Sequence, residues 1–376
     1  MDKNNLQKEN EKVNPPDYRE NPGFRDDTGA KGIVGMENPA DITGGYLLER
    51  NRGKRYGDKT SGFVTWSGEP FVVRSPSYAS KEEVAYIAEV TQHVENAILA
   101  VDGIDPDTGL FYTELLDETS FVRKYLLEEI TLNEASGSSS SWFYKPENKR
   151  SSKLFAGPVW DYDKALGHPE MGSFRDPCVL SKIYCYHTEY TKWFYALYQK
   201  ESFLSGVKAQ YRERFRPALV VLTDEKIDRY VSEIRESAAM DQIRWHKTDN
   251  LDACAEDIRE WTRQRMAFLD RVWLAGEPVC LIRYMNNRGG IRAFASVFPG
   301  GGLKNAPVIE TDDAEYLYVY REDTGVELLE GTDIPSDHIT FFCWYDAEGG
   351  QTYGVGADSR EVWSDITLYP VYMESD

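Results

Sequence analysis

Two carboxylates stand two residues apart in Gly157-Pro158-Val159-Trp160-Asp161-Tyr162-Asp163-Lys164-Ala165-Leu166-Gly167. An apolar run, Leu154 to Ala156, comes just before it and is predicted to form a strand. At an extended strand end, Asp161 and Asp163 point to the same face, where like charges repel unless a cation or a proton lies between them. Carboxylate oxygens suit Mg²⁺ and Ca²⁺, and Mg²⁺ usually accompanies a phosphate substrate. The alternative interpretation is a solvated turn in which one Asp caps a helix.

Five further motifs stand in order on both sides of this stretch. They are Asp41-Ile42-Thr43-Gly44-Gly45-Tyr46-Leu47-Leu48-Glu49, Tyr78-Ala79-Ser80-Lys81-Glu82-Glu83, Tyr125-Leu126-Leu127-Glu128-Glu129-Ile130, Trp142-Phe143-Tyr144-Lys145 and Trp261-Thr262-Arg263-Gln264-Arg265-Met266-Ala267-Phe268-Leu269. Together with Gly157–Gly167 they resemble the CotH kinase family, the spore-coat-type atypical protein kinases, over about residues 36 to 275. The resemblance implies ATP and Mg²⁺ as cofactors, and transfer of phosphate to Ser or Thr of a protein substrate.

The resemblance also implies roles for individual residues. One carboxylate of the pair is expected to be the magnesium-binding Asp of a kinase; Asp163 is the first choice as metal ligand, with Asp161 second and also catalytic. Arg74, in Val72-Val73-Arg74-Ser75-Pro76, and Lys81 are the cations expected to contact the nucleotide phosphates. A solvated surface charge is the more common interpretation of either cation.

The catalytic base is where this chain departs from the family. The family loop after the helix at 125–130 usually reads Asn, any residue, then Asp, and that Asp resembles the catalytic-loop Asp of a kinase. Here Ala135 stands at that position and Glu134 precedes it. The side chain of Glu134 leaves the backbone in a different direction from that of the family Asp, and it is longer by one methylene group. A shift of about 1 Å at a catalytic group can cost ~10²-fold in rate. Either Glu134 serves as the base, or the chain is a weak kinase or a pseudokinase.

Composition excludes several classes of protein. The 376 residues contain 43 Lys and Arg against 63 Asp and Glu, a formal net charge of −20, which argues against binding nucleic acid or an anionic membrane surface. No segment approaches the ~20 apolar residues of a membrane-spanning helix. The 5 Cys show no zinc-site spacing, so free thiols are expected.

Residues 1–35 are polar and lack apolar periodicity, so they are predicted to be a disordered leader. They contain no apolar signal-peptide core, and the chain as written is expected to be cytoplasmic. The family, in contrast, implies a secreted or cell-surface protein. Family members carry a longer N-terminal lobe before the strand at Tyr46, so the resemblance implies that this lobe is truncated here.

The pattern predicts an α+β fold in two parts after the leader. Residues 36–276 are expected to form the kinase-like domain, with a mixed N-terminal β region and a helical C-terminal half; residues 277–376 are expected to form a small β-rich domain. Ser80 and Glu83 form the pattern of a capping box that opens a helix. A second helix is predicted over about residues 120–132, with Tyr125, Leu126 and Ile130 inward. Trp142–Lys145 and Leu154–Ala156 are predicted to pair as a hairpin, and Asp323-Thr324-Gly325 and Glu348-Gly349-Gly350 are predicted to form turns. In the helical half, Tyr230 and Ile234 are among the residues expected to face the core.

The end of the chain, about Phe341 to Tyr372, resembles the second half of a Listeria-Bacteroides (internalin B-type) repeat, carried by Cys343-Trp344-Tyr345-Asp346-Ala347-Glu348-Gly349-Gly350 and Ser364-Asp365-Ile366-Thr367-Leu368-Tyr369. That resemblance implies an adhesion module with a cell-surface partner.

The sequence is therefore compatible with two functions. The first is an ATP- and Mg²⁺-dependent protein kinase of the CotH type. The second is a degenerate, non-catalytic kinase-like scaffold that bears a surface module.

Overall fold

The computed structural model describes residues 38–51, 61–77, 79–133, 141–170, 175–180, 192–246, 250–309, 316–330 and 339–374. Contacts divide the chain into two compact units. The first compact unit contains 1–165 and 187–215, and the second contains 166–186 and 216–376. None of the described helices is long and apolar enough to cross a membrane.

A five-stranded antiparallel sheet forms the centre of the first unit, in the order β2-β3-β1-β4-β5. Its strands are β1 (Tyr46–Arg50), β2 (Gly62–Val64), β3 (Pro70–Ser75), β4 (Ser141–Lys145) and β5 (Phe155–Ala156). The strands β2, β3 and β4 coincide with runs rich in aromatic and β-branched residues, which favour strands. The predicted hairpin of Trp142–Lys145 with Leu154–Ala156 is confirmed by the pairing of β4 with β5.

The helices of this unit are α1 (Lys81–Leu99), α2 (Tyr112–Leu115), α3 (Glu118–Thr131), α4 (Lys192–Tyr198) and α5 (Glu201–Gln210), followed by a π turn (Tyr211–Phe215). The predicted capping box is confirmed, because Ser80 accepts from the Glu83 amide and Glu83 accepts from the Ser80 amide. Asp117 caps α3 by accepting from the amide of Ser120.

Aromatic side chains join the sheet to these helices. The Phe143 ring lies 5.3 Å from Trp193 of α4 and 5.6 Å from Phe121 of α3, measured between ring centroids. Phe71 of β3 contacts the same Phe143 ring at 6.0 Å. Rings at these separations add to the stabilisation that comes from burying their area. The sheet therefore holds α3 at a defined position. This helix contacts Asp161-Tyr162-Asp163, which we call the Asp-Tyr-Asp segment.

The second unit contains α6 (Arg216–Val221), α7 (Ile227–Trp245) and α8 (Leu251–Leu269), with π turns at Leu222–Lys226 and Asp270–Leu274. The prediction that Tyr230 and Ile234 face the core is wrong, since each is 46% exposed. After Val231 the residues of α7 are exposed or only partly buried, so the helix leaves the core beyond this point. Among the described residues of α7, Ile227 and Val231 are the buried ones.

The β-rich C-terminal region is also present. Its strands are β6 (Cys280–Met285), β7 (Ile291–Val297), β8 (Gly301–Ala306), β9 (Tyr316–Arg321), β10 (Gly325–Glu330), β11 (Ile339–Asp346), β12 (Gln351–Tyr353), β13 (Gly356–Val362) and β14 (Ile366–Glu374). Seven of them form one sheet around β14, and β8 pairs with β13. The predicted turns at Gly325 and Gly350 are found, and both glycines have the positive φ that such turns require.

The domain boundary predicted at residue 276 can be tested with an isolated C-terminal fragment. Two apolar clusters of this region, one around Trp344 and one around Val319, draw their buried members only from residues 280–372. We expect a fragment of residues 278–376 to unfold cooperatively on heating, because its cores are complete. Circular dichroism checks this. A fragment without a cooperative transition would contradict the predicted boundary, and would show that the β region needs the helices of the second unit.

Candidate functional site

The Asp-Tyr-Asp segment does not have the extended backbone that the sequence predicts. The β5 strand ends at Ala156, and Asp161 lies in the left-handed region with φ of 66°. The alternation of side chains along a strand therefore does not apply to Asp161 and Asp163. Left-handed backbone costs an L-residue about 1–2 kcal/mol and persists where surrounding contacts hold it, often at functional sites.

Tyr162 is the residue that holds this segment in place. Its hydroxyl donates to Glu128 Oε1 at 2.5 Å and accepts from Lys124 Nζ at 3.2 Å. Lys124 and Glu128 stand one turn apart on α3 and form an ion pair of 2.5 Å, with both side chains only 3% exposed. Burial, and then the charge of Glu128, raise the pKa of Tyr162, so the hydroxyl stays protonated. Asp161 and Asp163, on either side of this anchor, are exposed.

Tyr162 also contacts the start of the loop that contains Glu134, the predicted base. Asn133 follows α3, is 2% exposed and hydrogen-bonds to Tyr162. The next residue, Glu134, lies outside the described residues, as does Ala135. One oxygen of Glu128, Oε2, is buried and has no hydrogen-bond partner among the described residues. Tyr162 therefore contacts both the helix that precedes the loop and the first residue of the loop.

Arg74 is connected to the same segment through two indole rings. Trp160 is 57% exposed, and its ring centroid lies 5.6 Å from that of Trp142 on β4. The guanidinium of Arg74 lies 6.0 Å from the Trp142 ring and also pairs with Glu49 of β1. Arg74 therefore contacts Trp142, which in turn contacts Trp160, the residue before Asp161.

Lys81, the second cation predicted to bind phosphate, has a different position. It is exposed in the first turn of α1, and no contact among the described residues joins it to the Asp-Tyr-Asp segment. The structure therefore gives the predicted roles of Arg74 and Lys81 unequal support.

Sequence reasoning missed the buried ion pair of α3. It assigned Tyr125, Leu126 and Ile130 to the inward face, and these are buried. It did not consider Lys124 and Glu128, because charged residues are rarely buried. The available signal was their i, i+4 spacing next to inward positions, which is the spacing of a helical ion pair.

A second group of metal-ligand type lies elsewhere in the first unit. His93, Asp105 and Asp107 each place one ligand atom within 4.8 Å of the others, and Asp105 Oδ2 is 2.9 Å from His93 Nδ1. Burial alone would raise the pKa of Asp105, but hydrogen bonds from Thr108 and Asn96 outweigh it and lower that pKa. These hydrogen bonds satisfy the acceptor oxygens of the Asp105 carboxylate, so its burial does not require a cation.

Comparison with known proteins gives one match. The family model described as CotH kinase protein matches residues 19–269. No curated protein and no solved structure matches the chain.

Proposed function

Because this chain belongs to the CotH kinase protein family, we propose that it transfers the γ-phosphoryl group of ATP to Ser or Thr of a protein substrate, with Mg²⁺. The Asp-Tyr-Asp segment is the proposed centre of the site. The observation that carries the proposal is the fixing of Tyr162 by the buried Lys124–Glu128 pair, which leaves a carboxylate exposed on each side. Rigid placement of charged groups is the main contribution of a protein to phosphoryl transfer.

Asp161 and Asp163 are the proposed magnesium ligands. Both supply hard carboxylate oxygens, and their exposure leaves room for the waters and phosphate oxygens that Mg²⁺ retains around it. A bound Mg²⁺ would neutralise negative charge on the phosphates. The donor set therefore fits the metal.

Arg74 is the proposed phosphate contact from the sheet. Its side chain is 36% exposed, so its guanidinium reaches solvent although it pairs with Glu49. An arginine fork matches phosphate oxygens in two hydrogen bonds. The exposed ring of Trp160, which contacts Trp142 as Arg74 does, offers an aromatic face on which a nucleotide base can stack. Lys81 is a second proposed phosphate contact, with exposure as its only support.

Glu134 is the proposed base, since Asn133 holds the start of its loop against Tyr162. A base at this point orients the attacking hydroxyl and accepts its proton. We expect Glu134→Gln to lower phosphate transfer by about 10²-fold or more, the usual contribution of a positioned base. The measurement is transfer of labelled phosphate from ATP to a basic protein substrate with Mg²⁺.

Glu147→Gln is the matched control for this experiment, because Glu147 is an exposed loop glutamate with a side chain 59% exposed. It should transfer phosphate at the rate of the parent. No transfer by the parent under any divalent metal would overturn the proposed activity. Equal transfer by parent and Glu134→Gln would leave the activity and remove Glu134 as its base.

A further inference from the structure

A cavity of about 1150 Å³ lies within the second compact unit, and we call it the basic cavity. One wall is the segment 175–180, another is the end of α8, and the third is β7 and β8 with the turn between them. This volume is slightly larger than the roughly 300–1,000 Å³ of most pockets that hold small ligands.

The 175–180 wall is fixed by hydrogen bonds from α8. Trp261 Nε1 donates to the carbonyl oxygen of Arg175 at 2.7 Å. Arg265, which is fully buried, donates to the carbonyl oxygens of Pro177 and Val179 at 2.8 and 2.5 Å. These hydrogen bonds lie within the protein and hold the wall in position, which lowers the entropy cost of binding a ligand against it.

The charge of the lining is opposite to that of the chain. Four cationic residues, Arg175, Arg271, Arg292 and Lys304, line the basic cavity, and Asp176 is the one acidic residue among its lining residues. The chain as a whole has a net charge of −20. A concave surface lined by one sign of charge concentrates ions of the opposite sign. The basic cavity therefore attracts anions within an acidic protein.

Most of these cations have no counterion among the residues that the structure describes. Arg271 pairs with Glu277 at 2.5 Å and lies over the Phe298 ring at 3.5 Å. Within the described ranges, Arg175, Arg292 and Lys304 make no ion pair. Cations gathered around one cavity repel each other, and this repulsion is relieved when an anion binds between them.

Tyr284 provides a second, independent observation. It lines the basic cavity and is 1% exposed, and its hydroxyl has no hydrogen-bond partner in the part of the chain that the structure describes. Its ring packs edge-on against Trp344 at 4.8 Å, so the side chain is held in place. A buried hydroxyl without a partner is unusual in a folded protein and calls for a missing acceptor. A ligand oxygen in the cavity would supply it.

We propose that the basic cavity binds a phosphate-bearing ligand, with Arg175, Arg292 and Lys304 as partners of the phosphate oxygens and the Tyr284 hydroxyl as a further donor. Phosphate fits better than carboxylate, because a phosphate monoester carries about −1.5 to −2 charges at neutral pH and faces three unpaired cations. Arginine forks also match phosphate in two hydrogen bonds. The proposal does not rest on the proposed kinase activity, since Asp161 and Asp163 belong to the first compact unit.

Cys178 supplies a direct measure of occupancy. Its thiol is exposed and lines the basic cavity, whereas the exposed thiol of Cys254 lies 14 positions before Phe268 on α8 and does not line it. The full chain is treated with iodoacetamide, and modification of each cysteine is followed by mass spectrometry. Pyrophosphate, ATP and phosphoserine are the probes, with sodium chloride at equal ionic strength as the control. We expect at least one probe to slow modification of Cys178 about tenfold at saturation without changing Cys254.

Charge variants then locate the binding. Arg292→Gln/Lys304→Gln should weaken protection of Cys178 by about tenfold or more, because two charge-assisted hydrogen bonds are lost. The matched control is Arg288→Gln/Arg321→Gln, which removes two exposed cations that do not line the cavity. Tyr284→Phe should keep the thermal stability of the parent, since its hydroxyl has no partner among the described residues, and should weaken protection several-fold.

Each result decides the proposal. Protection by phosphoserine above pyrophosphate and ATP identifies a phosphorylated protein segment as the source of the phosphate, and the reverse order identifies a free phosphate compound. Failure of all three probes to protect Cys178, or equal protection of the parent and the Arg292→Gln/Lys304→Gln variant, would overturn it.

Discussion

Replacing Lys124 with methionine should lower the free energy of unfolding of the first compact unit by about 3–5 kcal/mol, the usual cost of breaking a buried ion pair. Methionine fills most of the volume but leaves the Glu128 carboxylate buried without its cation. Tyr162 alone then donates to that carboxylate. Urea denaturation followed by tryptophan fluorescence measures the change, since Trp142 and Trp193 belong to this unit.

Two control variants separate the buried charge from the loss of a lysine. Lys149→Met removes the cation of an exposed pair with Glu147, in which both side chains are more than half exposed, and should change stability by only a small fraction of that amount. Lys124→Met/Glu128→Met removes both buried charges and should recover most of the lost stability. If Lys124→Met is as stable as Lys149→Met, the pair does not support the segment.

The Asp161→Asn/Asp163→Asn variant should lose both the response to Mg²⁺ and phosphate transfer. In the parent, Mg²⁺ or Mn²⁺ is expected to raise the melting temperature, because a ligand that binds only the folded state stabilises it by mass action. The variant should show no shift and should transfer phosphate at least ~10²-fold more slowly, as when a transition-state charge partner is removed. Without metal the variant should keep the stability of the parent, because asparagine has the size of aspartate and also tolerates the left-handed backbone at position 161.

Asp107→Asn is the matched control for the metal experiment. Asp107 is an exposed carboxylate in the His93–Asp105–Asp107 group, where three metal-ligand atoms lie within 4.8 Å of one another. It should keep the full shift of melting temperature. An unchanged shift in Asp161→Asn/Asp163→Asn together with a lost shift in Asp107→Asn would move the metal to that group. The melting temperature is measured with and without Mg²⁺ for the parent, for Asp161→Asn/Asp163→Asn and for Asp107→Asn.

Features formed by residues close in sequence were predicted well. The capping box of Ser80 and Glu83, the hairpin of β4 with β5, and the turns at Gly325 and Gly350 each depend on residues within about a dozen positions of one another. The family resemblance is confirmed over 19–269. The internalin-type repeat, its cell-surface partner and the boundaries at 35 and 276 stay predictions.

The extent of burial along a helix was predicted less well. Tyr230 and Ile234 have the spacing of an inward face, but α7 leaves the core after Val231, and both residues are exposed. Hydrophobic periodicity shows which residues share a face of a helix, but it does not show how far along the helix other elements cover that face. The same limit applies to Asp161, whose left-handed backbone is held by contacts that the local sequence does not contain.

The sequence by itself determined the element types, the position of the Asp-Tyr-Asp segment and the family, because these follow from local backbone preferences and from motifs in a fixed order. Only the tertiary structure decided what surrounds that segment. Tyr162 meets Lys124 and Glu128 across more than 30 positions of the chain, and Trp142 lies between Trp160 and Arg74 because β4 pairs with β1, next to β3. A lysine and a glutamate on a helix are ordinary surface residues until packing removes them from water, and their energies depend on that loss of solvent.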